Sequence, residues 1–149
     1  MGDSTQDTRD HIGKVQARIH ECTNNLIVRA SRHDASKLAE PEKSGFDVLT
    51  FQLANLVYGS PEYKAALDEA RPTIDHHYAA NSHHPEHYER GIAGMSLLDI
   101  VEMICDWKAA GERTKAGSIA KSLTHNKTRF GIDDQLAAIL ENTVKELGW

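Results

Sequence analysis

The chain has 149 residues, of which 40% are hydrophobic and 26% charged, and its formal net charge is -5. This length is typical of one folded domain, so we expect a single domain over residues 1–149. The acidic balance argues against binding to extended nucleic acid, and no apolar run approaches the roughly 18 residues of a membrane span. We therefore expect a soluble, cytoplasmic protein that does not act at a membrane.

The two cysteines, Cys22 and Cys105, form neither a CxxC motif nor a Cys/His finger spacing. Both stand within helical patterns of apolar residues, so we expect them to be reduced and buried. No disulfide is predicted.

Two helices are predicted in the first part of the chain. Apolar residues recur at three- and four-residue steps from Ile12 to Ala30, which predicts an amphipathic helix over about 8–31. A second apolar stripe begins at Phe46 and ends at Gly59.

Ser60-Pro61-Glu62 carries the capping side chain, the proline and the acid that are typical of a helix start. A further helix is expected after Pro72, and it carries His76-His77. The polar segment from Asn81 to Gly91 has no periodicity and predicts a loop or a broken helix.

The last part of the chain predicts three helices. Ser96 precedes the most apolar of them, which we expect to be central and to end near Ala110. Two others are expected from about Ala116 to Thr124 and from Asp133 to Leu147. Because no strand alternation is present, the predicted fold class is all-α, a compact multi-helix bundle.

Histidine is the unusual residue of this composition. Five of the nine histidines fall between His76 and His87. Another precedes an aspartate in His33-Asp34, which offers a neutral imidazole nitrogen and a carboxylate oxygen to one cation. Such a mixed donor pair suits Fe, Mn, Co, Ni or Zn better than Mg alone. The pattern predicts a divalent metal site.

The order of these residues resembles the HD-domain metal-dependent phosphohydrolases, whose pattern is an early helical histidine, a His-Asp pair, further histidines and a late aspartate. Asp10-His11 and His33-Asp34-Ala-Ser resemble motifs of the family's 5'-deoxynucleotidases. Lys37 and the paired histidines resemble the HD-GYP phosphodiesterases, although the Gly-Tyr-Pro sequence is missing. The resemblance covers about residues 11–110. It implies an HD-like helical fold and one or two metal ions with these ligands: His11, His33, Asp34, His76, His83 and Asp106.

Several alternatives stay open within this ligand set. His77 and His84 are nearly as good as their neighbours, whereas His87 is expected to be exposed. His11 lies nearer than His20 to the apolar stripe of the first helix.

Three acids share one stripe of the central helix: Asp99, Glu102 and Asp106. The spacing Ser96-x-x-Asp99 is that of a capping box, which explains Asp99 without a metal and leaves it an alternate ligand. Asp106 stands amid apolar residues, where a buried carboxylate needs a cation or a hydrogen-bonding partner.

The predicted activity is hydrolysis of a phosphate ester by water that the metal activates, with Asp34 bridging or orienting the metals. The resemblance gives Lys37 a contact with substrate phosphate, and Glu40 or Glu42 is a candidate acceptor for the proton of the water. Lys108 and Arg129 are further candidates for phosphate, although a solvated position is favoured for both. The expected substrate is a small phosphate ester, a nucleotide by family analogy.

Two other functions use the same residues. A di-iron oxygenase would place iron in the histidine-rich cavity, and a non-catalytic module would bind a nucleotide through the metal without turnover. The apolar stripe near the C-terminus and Trp149 pack internally or form a homodimer contact, and the sequence does not decide between these.

Overall fold

The computed structural model of the protein describes residues 3–57, 59–113 and 117–149. These residues form seven α-helices and no β-strand, which confirms the all-α class. No helix in the described ranges is long and apolar enough to cross a membrane. The helices are α1 (Thr5–Arg32), α2 (Glu42–Leu53), α3 (Pro61–Glu69), α4 (Arg71–Ala80), α5 (Leu97–Glu112), α6 (Ile119–Phe130) and α7 (Asp134–Glu146).

The chain divides into two compact units, Met1–His33 and Asp34–Trp149. The first unit consists essentially of α1, which ends before His33, as the sequence predicts. The second unit contains the other six described helices.

Both cysteines are free, as predicted, but both are exposed, so the prediction that they are buried is wrong. None of the residues of α1 is buried, and Cys22 shares that exposure. Cys105 lies on α5 beside the two buried residues Met103 and Ile104, but the turn of the helix carries its side chain toward solvent. Partial burial and the nearby Glu102 carboxylate still raise the pKa of the Cys105 thiol.

The predicted helix starts are confirmed by their caps. The hydroxyl of Ser60 accepts a hydrogen bond from the backbone three residues on, before α3. Ser96 and Asp99 form the reciprocal capping box at the start of α5. Asp133 accepts a backbone hydrogen bond at the start of α7. These caps satisfy N–H groups that have no partner within their own helix.

Several predicted boundaries differ from the structure. The helix predicted from Phe46 to Gly59 is α2, which begins at Glu42 and ends at Leu53. The helix expected from Ala116 is α6, which begins after the Ser118 cap and continues past Thr124 to Phe130. Ala116 itself lies outside the described residues. The helix ends at Gly131, whose φ of 61° is a left-handed conformation that glycine adopts without steric cost.

An apolar core joins α5, α6 and α7. Its buried residues are Ile104, Ile119, Ile132, Ala137 and Leu140. Trp107 packs against this core and stacks on Phe130, with ring centroids 6.1 Å apart and planes within 5°. Burial of these side chains is the main stabilising contribution in this part of the unit.

A second set of contacts joins α2, α3 and α4. Gly45 of α2 lies so close to Thr73 of α4 that an added Cβ would meet the threonine Oγ1 at 2.1 Å. Glycine therefore permits the close approach of these two helices. Their approach places the start of α2 beside the C-terminal half of α4, where the candidate site is found.

Candidate metal centre

Four side chains of the second unit converge on one point: Asp34, His77, His83 and His84. The Oδ1 atom of Asp34 lies 3.3 Å from His77 Nε2 and 3.5 Å from His83 Nε2. His84 Nε2 lies 2.9 Å from His77 Nε2. His77 comes from α4, and His83 and His84 come from the segment that follows it. His77 and His83 are 3% and 2% exposed, whereas Asp34 and His84 are only partly buried.

The backbone of Asp34 is left-handed, with φ 56° and ψ 13°. Aspartate tolerates this conformation better than most residues because its short polar side chain can bond locally. Lys37 Nζ lies 2.7 Å from Asp34 Oδ2 and also stands over the ring of Phe46, 5.2 Å from its centroid. The lysine therefore holds one carboxylate oxygen while the other faces the histidines.

Glu42 is fully buried behind His77. Its Oε2 lies 2.9 Å from His77 Nδ1 and accepts a hydrogen bond from Ser36 Oγ at 2.8 Å. Its Oε1 lies 2.8 Å from His76 Nδ1. Burial raises the pKa of Glu42, but the hydrogen bonds from His76, Ser36 and His77 outweigh it, so the pKa lies below its usual value. Glu42 is therefore an ionised acceptor.

An ionised Glu42 determines the tautomer of His77. A carboxylate only accepts hydrogen bonds, so His77 Nδ1 carries a proton toward Glu42. The other ring nitrogen, Nε2, lies at the convergence point. Because both oxygens of Glu42 are engaged, its position favours orientation of His77 over proton abstraction from water.

A second carboxylate stands behind His83. Glu102 Oε1 of α5 lies 3.3 Å from His83 Nδ1, on the opposite side of the ring from Asp34. In both cases a glutamate oxygen faces the Nδ1 atom of the histidine, at 3.3 Å for Glu102 and His83 and at 2.9 Å for Glu42 and His77. Metal-binding histidines typically have such a carboxylate behind them, which fixes the ring and raises its basicity.

His84 is held in its neutral form. Burial lowers the pKa of His84 to about 3, assisted by the nearby His83 and His77. A neutral imidazole is the protonation state that binds a metal ion. The site therefore offers His84 as a donor at neutral pH without first displacing a proton from a charged ring.

The donor set fits a divalent transition metal. Three imidazole nitrogens and one carboxylate oxygen suit Zn, Fe, Co, Ni or Mn, whereas Mg and Ca favour oxygen ligands throughout. The carboxylates behind His77 and His83 are the usual supports of such ligands. Asp34, His77, His83 and His84 are the residues that would hold the ion.

The structure separates the two members of the first histidine pair. His77 belongs to the converging group, whereas the side chain of His76 is 49% exposed and contacts Glu42 through Nδ1. Both His83 and His84, the favoured ligand and its alternate, are in the group. His87 is exposed, as predicted, and its Nδ1 contacts the carbonyl of Tyr78.

The predicted late aspartate also lies close to the His-Asp pair. A carboxylate oxygen of Asp106 lies within 4.8 Å of one of Asp34. Asp99 instead accepts hydrogen bonds on both of its oxygens. His11 and His33 belong to the first unit. His11 is exposed on α1, and His33 is the residue that follows the last residue of this helix.

The other candidate groups have different partners. Glu40 is exposed and accepts a hydrogen bond from Ser44. Lys108 pairs with Glu112 and Arg129 with Glu86, each at 2.7 Å. The Arg129 side chain is 48% exposed, whereas that of Lys108 is only 26% exposed.

Three supporting groups were not predicted for this site: the orienting role of Glu42, the support of His83 by Glu102, and the hydrogen bonds of Asn81. The amide of Asn81 donates to Ser36 Oγ and to the carbonyl of His77, both at 2.8 Å. No local pattern in the sequence joins Glu42 to His77, because the two residues belong to different helices.

The chain belongs to a family of unknown function (DUF5662), which it matches over residues 1–146. No curated protein and no solved structure matches the sequence. The family description assigns no activity, so the chemistry of the site is the basis for a functional proposal.

Proposed function

We propose that the protein is a divalent-metal-dependent phosphohydrolase of the HD-domain type that acts on a small phosphate ester, with nucleotides as the substrate class. One observation carries the proposal. Asp34, His77, His83 and His84 direct their ligand atoms to one point, all within 4.8 Å of one another.

A divalent metal bound at this point would supply Lewis acidity, which lowers the pKa of a water molecule and polarises a phosphoryl oxygen. The residues around it have distinct tasks. Glu42 keeps His77 Nε2 directed inward, and Glu102 supports His83. Asp34 would contribute an oxygen ligand.

Lys37 favours a phosphate as the group that is bound. Its ammonium lies on the oxygen of Asp34 that faces away from the histidines, and the Phe46 ring keeps it in place. Because Lys37 directly contacts the proposed ligand Asp34, its ammonium is positioned to neutralise charge on the phosphoryl oxygens of a bound substrate. An oxygen-activating site has no need of this cation.

The HD-domain assignment is part of the proposal. It is supported by the order of the residues, in which a His-Asp pair precedes the histidines and a late aspartate. It is also supported by the proximity of Asp106 to Asp34. The substrate class rests on this likeness alone.

The test begins with metal binding and then measures hydrolysis. Purified protein is titrated with Co²⁺, Mn²⁺, Ni²⁺ and Zn²⁺, and the loaded protein is offered nucleoside mono- and triphosphates and phosphodiesters. We expect one or more of these to release product, and His77→Ala to lose both metal binding and hydrolysis.

His125→Ala is the matched control, because His125 is exposed on α6 and takes no part in the converging group. It is expected to match the wild type in both measurements. A metal-loaded wild type that hydrolyses none of the phosphate esters would refute the phosphohydrolase. If it binds nucleotides tightly without turnover, the result favours a binding module instead.

A further inference from the structure

The segment that carries His83 and His84 is fastened to the start of α5 by one carboxylate. Asp99 Oδ1 accepts a hydrogen bond from Ser82 Oγ at 2.8 Å. Asp99 Oδ2 accepts one from Tyr88 Oη at 2.9 Å. Ser82 and Tyr88 lie on either side of the two histidines in the sequence, so Asp99 holds the segment at two points.

Asp99 is also part of the capping box of α5, but the cap uses only one of its oxygens. The backbone N–H and the hydroxyl of Ser96 both bind Oδ2, at 2.8 and 2.6 Å. The Oδ1 atom is not needed for the cap, and it binds Ser82. Helix capping therefore explains the contacts of Asp99 with Ser96 and leaves its contacts with Ser82 and Tyr88 for a different role.

The contact with Ser82 is next to a metal-site histidine. Ser82 immediately precedes His83, and Glu102, one turn after Asp99 on α5, faces His83 Nδ1. Asp99 and His83 are both 2% exposed. Two consecutive residues of the segment are thus held by two carboxylates on successive turns of one helix.

The charge of Asp99 suits this role. Burial raises its pKa, but the hydrogen bonds from the Ser96 side chain and backbone, Ser82 and Tyr88 outweigh it, and the pKa falls well below the usual range. Hydrogen bonds to an ionised acceptor are stronger than those between neutral groups. The segment is held firmly at neutral pH.

We propose that Asp99 is a positioning residue of the metal centre, which through Ser82 and Tyr88 fixes His83 at the distance from the other three donors that a metal ion requires. This inference rests on the proposed metal site, but it does not depend on the reaction that the site performs. It separates the contacts of Asp99 with the segment, through Ser82 and Tyr88, from its capping contacts with Ser96.

Two matched serine variants test this separation, because each removes one hydroxyl from Asp99. Affinity for Co²⁺ is measured by competition with a chromophoric chelator, together with the visible spectrum of the bound ion and the melting temperature. Ser82→Ala is expected to weaken Co²⁺ binding about tenfold or more and to change the spectrum, as loss of a group behind a ligand does.

Ser96→Ala is expected to lower the melting temperature through loss of the cap and to leave Co²⁺ affinity within about twofold of the wild type. Ser82→Thr keeps a hydroxyl at position 82 and is expected to restore most of the affinity. Equal Co²⁺ affinity in Ser82→Ala and the wild type would overturn the proposal, and so would equal weakening in the two alanine variants.

Tyr88→Phe covers the case in which Ser82→Ala does not fold. It removes the other contact of the segment with Asp99 and keeps the ring that packs on Gly94. Weaker Co²⁺ binding with an altered spectrum supports the role of Asp99, and unchanged binding refutes it. A wild type that binds no Co²⁺ refutes the metal site and this inference together, whereas bound Co²⁺ without hydrolysis refutes only the phosphohydrolase.

Discussion

The second unit contains two interiors of opposite character. The one between α5, α6 and α7 is made of aliphatic residues and a Trp107–Phe130 stack. The one between α2, α4 and the segment after α4 is made of carboxylates and imidazoles, with Glu42 and His77 almost entirely buried. Apolar burial is favourable by itself, whereas a buried carboxylate is costly unless it is paired and hydrogen-bonded.

This difference indicates that the apolar interior contributes most to the stability of the folded unit. Hydrophobic side chains of similar volume would replace a buried ionic cluster with little loss of stability, and sometimes with a gain. The charged interior is therefore better explained by the metal ion that we propose it binds than by the fold that it supports. Changes in one interior are expected to affect stability, and changes in the other to affect metal binding.

The largest effect is expected from Leu140→Ala in the apolar interior. Leu140 is 3% exposed within the core, and its truncation leaves a cavity. The free energy of unfolding should fall by about 2–5 kcal/mol, measured by urea denaturation without metal. Co²⁺ affinity of the folded variant should not change, and a large loss of affinity would contradict the division between the two interiors.

Metal addition is the complementary test of the polar interior. A ligand that binds only the folded state at a hundred times its Kd stabilises the protein by about 2.7 kcal/mol. We expect Co²⁺ to raise the melting temperature of the wild type and of Leu140→Ala alike. His77→Ala should show no such rise, and an equal rise in that variant would place the ion elsewhere.

Glu42→Gln sharpens the comparison within the polar interior. The amide keeps the shape of the side chain but loses the negative charge and one of the two accepting oxygens that face His76 and His77, so we expect Co²⁺ affinity to fall about 10- to 100-fold. Glu62→Gln is the matched control, because Glu62 also lies in the first turn of a helix but is exposed. It should bind Co²⁺ as the wild type does.

A weaker effect is expected from acid, because His84 is only partly buried. Its pKa is lowered from 6.5 to about 3 in the folded protein, so the unfolded chain binds more protons between these values. Stability of the metal-free protein should therefore fall as the pH is lowered through this range. His84→Asn should show a shallower dependence in denaturant titrations at several pH values.

The smallest effect is expected from an exposed ion pair. Arg71 and Asp75 lie 2.8 Å apart on α4, but both side chains are more than half exposed. Arg71→Gln should change the free energy of unfolding by about 1 kcal/mol or less. A loss comparable to that of Leu140→Ala would show that this exposed ion pair stabilises the fold as much as one leucine of the apolar core does.

The sequence predicted those features that depend on local chemistry. Ser60 with Pro61 and the pair Ser96 and Asp99 fix helix starts through side chains only a few residues from the backbone groups that they cap. The all-α class follows from apolar periodicity in the same way.

Long-range features were less accessible to sequence. Which of His76 and His77 faces the other ligands depends on how α4 is rotated against α2, and that rotation depends on contacts such as Gly45 with Thr73. One residue along a helix changes the direction of a side chain by about 100°. The partnership of Glu42 with His77 joins residues on different helices, and no local pattern announces it.

The positions of the two tryptophans determine which part of the molecule intrinsic fluorescence reports on. Trp107 reports from the apolar interior, and Trp149 lies at the C-terminus with 37% of its surface exposed. The polar interior has tyrosines instead, with Tyr78 beside His84 and Tyr88 on Asp99. Tryptophan fluorescence during heating therefore reports on the unfolding of α5–α7. The visible absorbance of Co²⁺ bound at the proposed site would report on the polar interior. One thermal melt recorded with both signals tests whether the two interiors unfold together.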